Sequence, residues 1–455
     1  MTLRIKLMVR QQIDWQAIEN EAVELLSQYI QINTINPPGN ELAGAQFLKE
    51  ILAHNGILAD VYESDTNRGN LVTRFMGDRD AIPAVLLLHH IDVVPAEEDK
   101  WLEPPFSGCV VNGEIWGRGA QDCKSLGIMQ LMAFVLLKRQ GLFPEKHIVL
   151  AATADEEAGS TWGVGWFMRH MPDKLKARYV INEGGGLGLA TKRGNVYFCQ
   201  VAEKGVCWVR ITFSGTPGHA SLPHANNCVV EMGKAIEALS AYEAACVVTE
   251  PAEKFIRGLA AAQEFVPAAE FLKLLDPTSC SSVWGRLPAG IIQQVLNASL
   301  RNTVTPTIAK AGTKTNVIPA ECFCEIDCRM LPGVKPYEIQ QAISDILAAR
   351  DCKNFTITML HTSLPSSSPL DTPLYRLIEK NIKKHDPTAL LVPYMSSGAT
   401  DSRFFREHGI VAYGMQMESS FESMERMHGH NERISIANLV KGIKVLFDTM
   451  REFCV

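Results

Sequence analysis

Apolar and polar positions divide the first 200 residues into segments with two different periods. Short unbroken apolar runs, at Ala84–Leu88 and His147–Thr153, predict strands that are buried on both faces. Apolar residues three and four apart over Asp14–Ile32 predict an amphipathic helix, and Lys124–Lys138 predicts a long buried one. Because strands alternate with helices in this order, we expect an α/β unit with a mixed, mostly parallel sheet and flanking helices.

The pattern changes near residue 200, where apolar and polar residues begin to alternate along the strands. Three strands and two helices are predicted in this region: Cys207–Phe213, Val229–Leu239, Ala320–Arg329, Pro336–Ile346 and Phe355–Met359. We interpret the region as a strand–helix–strand–strand–helix–strand pattern, which is typical of a ferredoxin-like α+β unit. We therefore predict that such a unit, residues 199–365, interrupts an α/β domain made of residues 1–198 and 366–455.

One alternating strand could also be interpreted as a metal site, because Cys322, Cys324 and Cys328 share a face. Ile326 lies in the same row, however, and a free cysteine packs like a small apolar residue. We therefore predict that this face is part of a buried core.

Composition excludes several classes of function. The 455 residues are 46% hydrophobic and 21% charged, a globular profile whose length favours two domains. The net charge is −6 and no Lys/Arg-rich block occurs, so we expect no nucleic-acid partner. No apolar run approaches the roughly 18 residues of a membrane helix, and Met1–Gln12 lacks the apolar stretch of a signal peptide. The 12 irregularly spaced cysteines then predict free thiols and a cytoplasmic location.

Polar residues that could bind a cation follow several predicted strands. His90 and Asp92 follow the first apolar run, and Asp122 follows a glycine-rich turn. Histidine and carboxylate side chains are zinc ligands, although a core histidine and a turn aspartate would give the same pattern. Glu156 and Glu157, after the next strand, are adjacent carboxylates that need either a cation or solvent. Since strand ends meet at one edge of an α/β sheet, we expect these residues to form one site.

Five motifs occur in an order that resembles a known enzyme family. They are His90-x-Asp92, Gly117-Arg118-Gly119-x-x-Asp122-x-Lys124, Glu156-Glu157, Glu183 and His428-x-x-Asn431-Glu432. The sequence resembles the two-zinc peptidases that include aminoacylase, glutamate carboxypeptidase, acetylornithine deacetylase and succinyl-diaminopimelate desuccinylase. Trp101-x-x-Pro104-Pro105-Phe106-Ser107-Gly108 and Glu183-Gly184-Gly185 favour the branch of carboxypeptidase S and the N-acyl-amino-acid hydrolases.

The resemblance implies a site for two zinc ions, with cobalt or manganese as substitutes. The implied ligands are Asp122 as the bridge, His90 and Glu183 for one ion, and Glu157 and His428 for the other. Glu156 is implied to be the general base, and Asp92 to orient the ring of His90. The motif register selects His90 and His428 over their neighbours His89 and His430.

The resemblance also implies groups that bind substrate. Arg329 would pair with a free carboxylate of the substrate, assisted by Asn316, Gly398 and Thr400. His219 would reach the site of the other subunit in a homodimer and stabilise an oxyanion. The interrupted domain would then be catalytic, and the inserted unit a lid and dimerisation domain.

These roles predict a hydrolase that cleaves the amide bond of an N-acyl amino acid or of a peptide with a free C-terminal carboxylate. A dipeptidase or aminopeptidase of the same family is the alternative, and it would need a group for the free amine of its substrate. A catalytically inactive metal-binding protein is a further alternative, against which the complete ligand set argues. Residues 251–300 show no clear chemistry and leave the acyl and side-chain specificity open.

Overall fold

The chain forms two compact units. The computed structural model describes residues 12–77, 82–186, 188–417 and 426–455. The first unit contains residues 1–201, 368–394 and 400–455, and the second contains residues 202–367 and 395–399. Of the segment Met1–Gln12, for which the sequence predicts no signal peptide, only Gln12 lies within the described residues. Among the helices in the described ranges, none is both long and apolar enough to cross a membrane.

A sheet of mixed strand direction forms the centre of the first unit. Its four central strands are parallel neighbours, in the order Ile148–Thr153, Val85–His90, Tyr179–Asn182 and Val411–Gly414. Antiparallel strands extend both edges: Ala59–Glu63 and Gly69–Phe75 on one, and Gly194–Glu203 with Gly188–Thr191 on the other. The strand Leu390–Ser396 also pairs with Gly194–Glu203. The first two central strands are buried at every residue, which explains why both appear in the sequence as unbroken apolar runs.

Helices flank this sheet. They are Trp15–Gln31, Glu41–His54, Lys124–Arg139, Val164–His170, Pro172–Leu175, Pro373–His385, Ser402–Glu407 and Ile436–Cys454. The helix Lys124–Arg139 contacts both the strand Val85–His90 and the helix Ile436–Cys454, so it is buried along nearly its whole length. Gly442 makes this helix contact possible, because a Cβ atom there would lie 2.2 Å from the sulfur of Met129.

The second unit is built on a four-stranded antiparallel sheet. The strand order is Thr303–Ala311, Glu321–Met330, Gly205–Ser214 and Phe355–Ser363. Its helices are Cys228–Ser240, Glu250–Ala262, Ala268–Phe271, Ser281–Trp284, Ile291–Leu300 and Pro336–Ala349. Residues of the first and last of these helices share one apolar core with the sheet. Cys322, Cys324 and Cys328 lie in this core, which confirms the prediction of a packed face.

Lys204 is a buried cation in the second unit, only 1% exposed. Its ammonium group donates hydrogen bonds to the carbonyl oxygens of Ala298 and Arg301, at 3.1 and 2.7 Å. Burial, with a smaller contribution from Arg329, lowers the pKa of Lys204 from 10.5 to about 7. Between these two pH values the unfolded chain holds a proton that the folded chain has lost, so this lysine makes stability rise with pH.

The Lys204→Met variant should lose this pH dependence. Between pH 7 and pH 9.5 we expect the free energy of unfolding of the wild type to rise relative to that of Lys204→Met, by at most about 1.4 kcal/mol per pH unit. Urea unfolding followed by fluorescence measures the difference, with the exposed Lys310→Met as the control. Equal pH dependence in wild type and Lys204→Met would contradict the pKa assigned to Lys204.

Candidate active site

The carboxyl ends of three neighbouring parallel strands carry the residues that the sequence singles out. The strand Val85–His90 ends at His90, Ile148–Thr153 leads into the turn Glu156–Ala158, and Tyr179–Asn182 is followed by Glu183. Because these strands pair in parallel, their ends lie at the same edge of the sheet. The side chains that follow them therefore meet in the first unit.

The first contact in this cluster joins His90 to Asp122. The Nε2 atom of His90 lies 3.1 Å from Oδ1 of Asp122 and 4.0 Å from Oε1 of Glu183. The Nδ1 atom of the same ring lies 2.9 Å from the carbonyl oxygen of Asp92 and 3.4 Å from its carboxylate. Burial alone would lower the pKa of His90, but the carboxylates of Asp122 and Asp92 act in the opposite direction, and the pKa is raised well above its usual value. Asp92 thus orients the ring so that Nε2 faces the other ligand-type groups.

The second oxygen of Asp122 faces the other histidine. Oδ2 of Asp122 lies 3.1 Å from Nε2 of His428, and the same nitrogen lies 3.1 Å from Oε2 of Glu157. Hydrogen bonds from Asp122 and Glu157 raise the pKa of His428 to about 10. Asp122 therefore lies between two groups of polar atoms, with one carboxylate oxygen directed at each.

The cluster holds more buried negative charge than its histidines balance. Burial and neighbouring carboxylates raise the pKa values of Glu156, Glu157 and Glu183. Oε1 of Glu157 is buried without a hydrogen-bond partner among the described residues. Two sets of candidate ligand atoms each lie within 4.8 Å of one another: Asp122 with Glu157 and His428, and His90 with Glu156 and Glu183. This set of imidazole nitrogens and carboxylate oxygens fits zinc, and bound cations would offset the buried charge.

Cys123 also lies within reach of His90 and Asp122. Burial raises the pKa of its thiol to about 12, and its sulfur lies 3.6 Å from the carbonyl oxygen of His90, to which it donates. The sulfur also accepts a hydrogen bond from the backbone N–H of His90 at 3.3 Å, so Cys123 packs against the backbone of that ligand candidate.

Asp92 supports the carboxylate turn as well as the ring of His90. Its two carboxylate oxygens accept hydrogen bonds from the backbone N–H groups of Glu156 and Glu157, each at 3.1 Å. The sequence predicts the contact with His90 only. The contact with the turn arises because the two neighbouring strands end at the same level of the sheet.

Glu432 holds the loop that carries Asp122, a role that the sequence does not predict. Its buried carboxylate accepts hydrogen bonds from the N–H groups of Gly119, Gln121 and Asp122, at 3.1, 2.7 and 3.0 Å. Arg118 donates to the same carboxylate at 2.8 Å. The only sequence signal for this role is the place of Glu432 at the end of the motif that begins with His428.

The extra histidines beside the predicted ligands point to other partners. Nδ1 of His89 lies 3.2 Å from Oε1 of Gln130, and burial lowers the pKa of His89 to about 3. Nε2 of His430 lies 2.9 Å from the carboxylate of Glu97. His90 and His428, which the motif register selects, are the histidines that the structure brings into the cluster.

Four of the five predicted substrate-binding or oxyanion-stabilising residues belong to the second unit, and Thr400 belongs to the first. Nε and Nη2 of Arg329 donate to the carboxylate of Asp327 at 2.7 and 2.9 Å. Nη1 of Arg329 lies 3.5 Å from the carbonyl oxygen of Ser397, next to Gly398. The structure thus brings Arg329 and the loop of Gly398 together within one unit.

His219 and Asn316 are also neighbours in the second unit. The short strands Gly218–His219 and Val317–Ile318 pair, and the N–H group of Ala220 donates to the carbonyl oxygen of Asn316 at 3.1 Å. The His219 side chain is exposed, and its Nδ1 atom lies 2.7 Å from the hydroxyl of Ser221. The other ring nitrogen, Nε2, has no hydrogen-bond partner among the described residues.

Comparison with known proteins identifies the family. The model described as peptidase family M20/M25/M40 matches residues 86–452. The chain belongs to this family. Because this is a family of peptidases, the chain is a hydrolase that acts on amide bonds. Enzymes of peptidase family M20 are metal-dependent.

Similar proteins include several with named activities. Aminoacylase-1B of Rattus norvegicus is 27% identical over 437 residues, which cover 94% of each chain. The N-fatty-acyl-amino acid synthase/hydrolase PM20D1 of Homo sapiens is 28% identical over 389 residues, 82% of this chain and 75% of that protein. An M20 family metallo-carboxypeptidase from Sulfolobus solfataricus has a TM-score of 0.72 at 20% identity, covering 95% of this chain and 98% of its own. Together with the observed mixed sheet, this likeness confirms the predicted fold class.

Proposed function

We propose that this M20 peptidase is a dinuclear zinc hydrolase that cleaves the amide bond of an N-acyl amino acid or of a peptide with a free C-terminal carboxylate. The observation that carries the proposal is the position of Asp122, whose two oxygens lie 3.1 Å from the Nε2 atoms of His90 and His428. A carboxylate placed between two such groups is suited to bridge two ions.

Each ion would have two further protein ligands besides Asp122. His90 and Glu183 would complete one shell, and Glu157 and His428 the other, so that both shells keep room for water and substrate. Bound zinc would lower the pKa of a water molecule and polarise the carbonyl group of the substrate. Cobalt or manganese would suit the same oxygen and nitrogen ligands.

Glu156 would act as the general base. It would accept a proton from the attacking water and donate it to the nitrogen of the leaving amine. Burial and the carboxylate of Glu183 raise the pKa of Glu156, which brings its proton affinity closer to that needed at neutral pH. Asp92 would keep the side chain in place, because it binds the backbone N–H of Glu156.

Arg329 would bind the free carboxylate of the substrate, with Asn316, Gly398 and Thr400 as further donors. Asp327 supports this role because it binds Nε and Nη2 and holds the guanidinium group in one orientation. Nη1, whose contact with the carbonyl oxygen of Ser397 is long at 3.5 Å, would turn to the substrate carboxylate. We also propose that His219 stabilises the oxyanion in the site of a second copy, in a homodimer. A fully active, monodisperse monomer would contradict that arrangement.

The proposed function is tested by the choice of substrate. Zinc-loaded protein should hydrolyse N-acyl amino acids and N-blocked dipeptides, hydrolyse the corresponding C-terminal amides much more slowly, and lose activity when a chelator removes the metal. A preference for unblocked dipeptides would favour the dipeptidase or aminopeptidase alternative. Zinc binding without hydrolysis of any substrate in the series would favour the inactive metal-binding protein.

The Arg329→Met variant should raise KM for N-acyl amino acids by about 10- to 100-fold, because a charge-assisted hydrogen bond contributes roughly 1.5–3 kcal/mol. We expect kcat to change little and Arg329→Lys to recover part of the loss. Arg210→Met is a matched control, because Arg210 is on a neighbouring strand and pairs with Glu325. Steady-state kinetics on acids and on matched amides measure the effect, and an equal KM increase for both would contradict the role of Arg329.

A further inference from the structure

A buried arginine lies behind the turn that carries Glu156 and Glu157. We propose that Arg68 is a positioning residue that holds this turn in its active geometry, through Asp155 and Asn36. The inference rests on the proposed function, because it assigns Arg68 to the support of that same site. These supporting residues are not among the metal ligands or the substrate-binding residues that the sequence predicts.

Arg68 is 5% exposed, and its guanidinium group contacts four acceptor groups. It forms ion pairs with the carboxylates of Asp155 and Glu41, the latter at 3.1 Å. It also donates to the side-chain oxygen of Asn36 at 3.2 Å and to the carbonyl oxygen of Pro38 at 2.6 Å. All four contacts are made by the two terminal nitrogens, and Nε has no hydrogen-bond partner among the described residues. A buried cation is costly unless it is paired, so these four contacts favour one position of the guanidinium group.

Two routes lead from Arg68 to the turn. In the first, Asp155 is the residue directly before Glu156, and its carboxylate binds both Arg68 and the N–H group of Trp162, the latter at 3.0 Å. In the second, Asn36 donates to Asp92 at 2.8 Å and to Asp155 at 3.1 Å. Asp92 in turn accepts the N–H groups of the two residues after Asp155, as described above.

The backbone at this point needs external support. Asp155 has φ 69°, in the left-handed region that a residue with a side chain seldom adopts. The ion pair with Arg68 and the bond from Trp162 hold its side chain, so that the backbone can pass through this conformation. Because the direction of the following side chain depends on that conformation, Arg68 acts on Glu156 through Asp155.

The approach of Arg68 also accounts for a glycine. Gly39 has φ +92°, and a Cβ atom there would lie 1.6 Å from Nη1 of Arg68. The segment Asn36-Pro37-Pro38-Gly39 is therefore shaped to admit the guanidinium group. Three of its four residues contact Arg68 or make room for it.

The test compares Arg68→Met, Arg68→Lys and a control, Arg74→Met, on the strand Gly69–Phe75 that directly follows Arg68. Arg74 donates to the carbonyl oxygen of Asp173 at the surface and has no part in the cluster. We measure kcat and KM for an N-acyl amino acid, the zinc affinity of the apoprotein by competition with a chromophoric chelator, and the unfolding midpoint.

Arg68→Met should lower kcat by about 10- to 100-fold and weaken zinc binding by a similar factor, with KM nearly unchanged. Arg68→Lys should recover part of both losses, and Arg74→Met should match the wild type. A folded Arg68→Met with wild-type kcat and zinc affinity would overturn the proposal, as would a variant whose only change is a lower unfolding midpoint.

A second variant keeps the test decisive if Arg68→Met does not fold. Asn36→Ala leaves the ion pair of Arg68 with Asp155 intact but removes the bonds from Asn36 to Asp92 and Asp155 and the bond from Arg68 to Asn36. We expect a smaller loss of both kcat and zinc affinity. Unchanged kcat and zinc affinity in a folded Asn36→Ala would overturn the second route. If the wild type binds zinc but hydrolyses no amide, the proposed function fails, while the zinc affinities of the variants still decide the role of Arg68.

Discussion

The Glu156→Gln variant is expected to lose about a factor of 10³ in kcat while it keeps its metal, because general acid–base catalysis contributes typically 10²–10⁴-fold. Glutamine has nearly the same size as glutamate but cannot accept and return a proton. Glu156 lies in the cluster with His90 and Glu183, so it is close enough to the ligand atoms to serve a water held there. Its backbone N–H bond to Asp92 should survive the change, and so should the turn.

The measurement pairs kinetics with metal analysis. Zinc content of the desalted protein and kcat for an N-acyl amino acid are determined on the same sample. Glu50→Gln, an exposed change on a surface helix, controls for the loss of one carboxylate. Near-wild-type turnover in a zinc-loaded Glu156→Gln would show that another group acts as the base.

The Asp122→Asn variant should have an effect at least as large, through the metal rather than through the proton. One substitution removes the negative charge that faces both His90 and His428, so both ions should bind more weakly. We expect zinc content to fall from two ions to fewer than one per chain and activity to fall by at least about 10³-fold. The unfolding midpoint of the wild type should rise when zinc is added, since a ligand that binds only the folded state stabilises it, and that of Asp122→Asn should not.

Removing the metal from the wild type gives the reference state for this variant. Apoprotein prepared with a chelator should resemble Asp122→Asn in its activity and midpoint, and zinc should restore only the wild type. Asp99→Asn, at an exposed position, serves as the control for charge. An Asp122→Asn protein that keeps two tightly bound zinc ions would contradict the bridging role.

The sequence predicts the core of the first unit well because its signals are local. Val85–His90 and Ile148–Thr153 are buried on both faces, so every residue in them is constrained to be apolar or small until the strand ends. His89 and His90 then stand out because they end such a run. The same logic misses Thr303–Ala311, an edge strand that contains Pro306 and a register shift and has mostly exposed side chains.

The residues that hold the site in place are harder to predict from the sequence, because their role depends on contacts between segments that are far apart in the chain. Glu432 is 310 residues from Asp122, and Arg68 is 87 residues from Asp155. The sequence of a loop does not show whether a charged residue in it will be buried against a charged residue of another segment. His89 and His90 show the same limit, because only the spacing to Asp92 distinguishes the ring that faces the cluster from the ring that faces Gln130.

The span between Asp122 and Glu432 also determines when the site can form during synthesis. The ribosome makes the loop Gly117–Asp122 some 310 residues before the carboxylate that holds it, and His428 appears at the same late stage. Nascent chains that stop before residue 428 should therefore bind zinc weakly, which a chelator competition on such truncated chains would measure. On this view metal loading comes last in the maturation of the enzyme, so an incomplete chain has no hydrolytic activity to release into the cell.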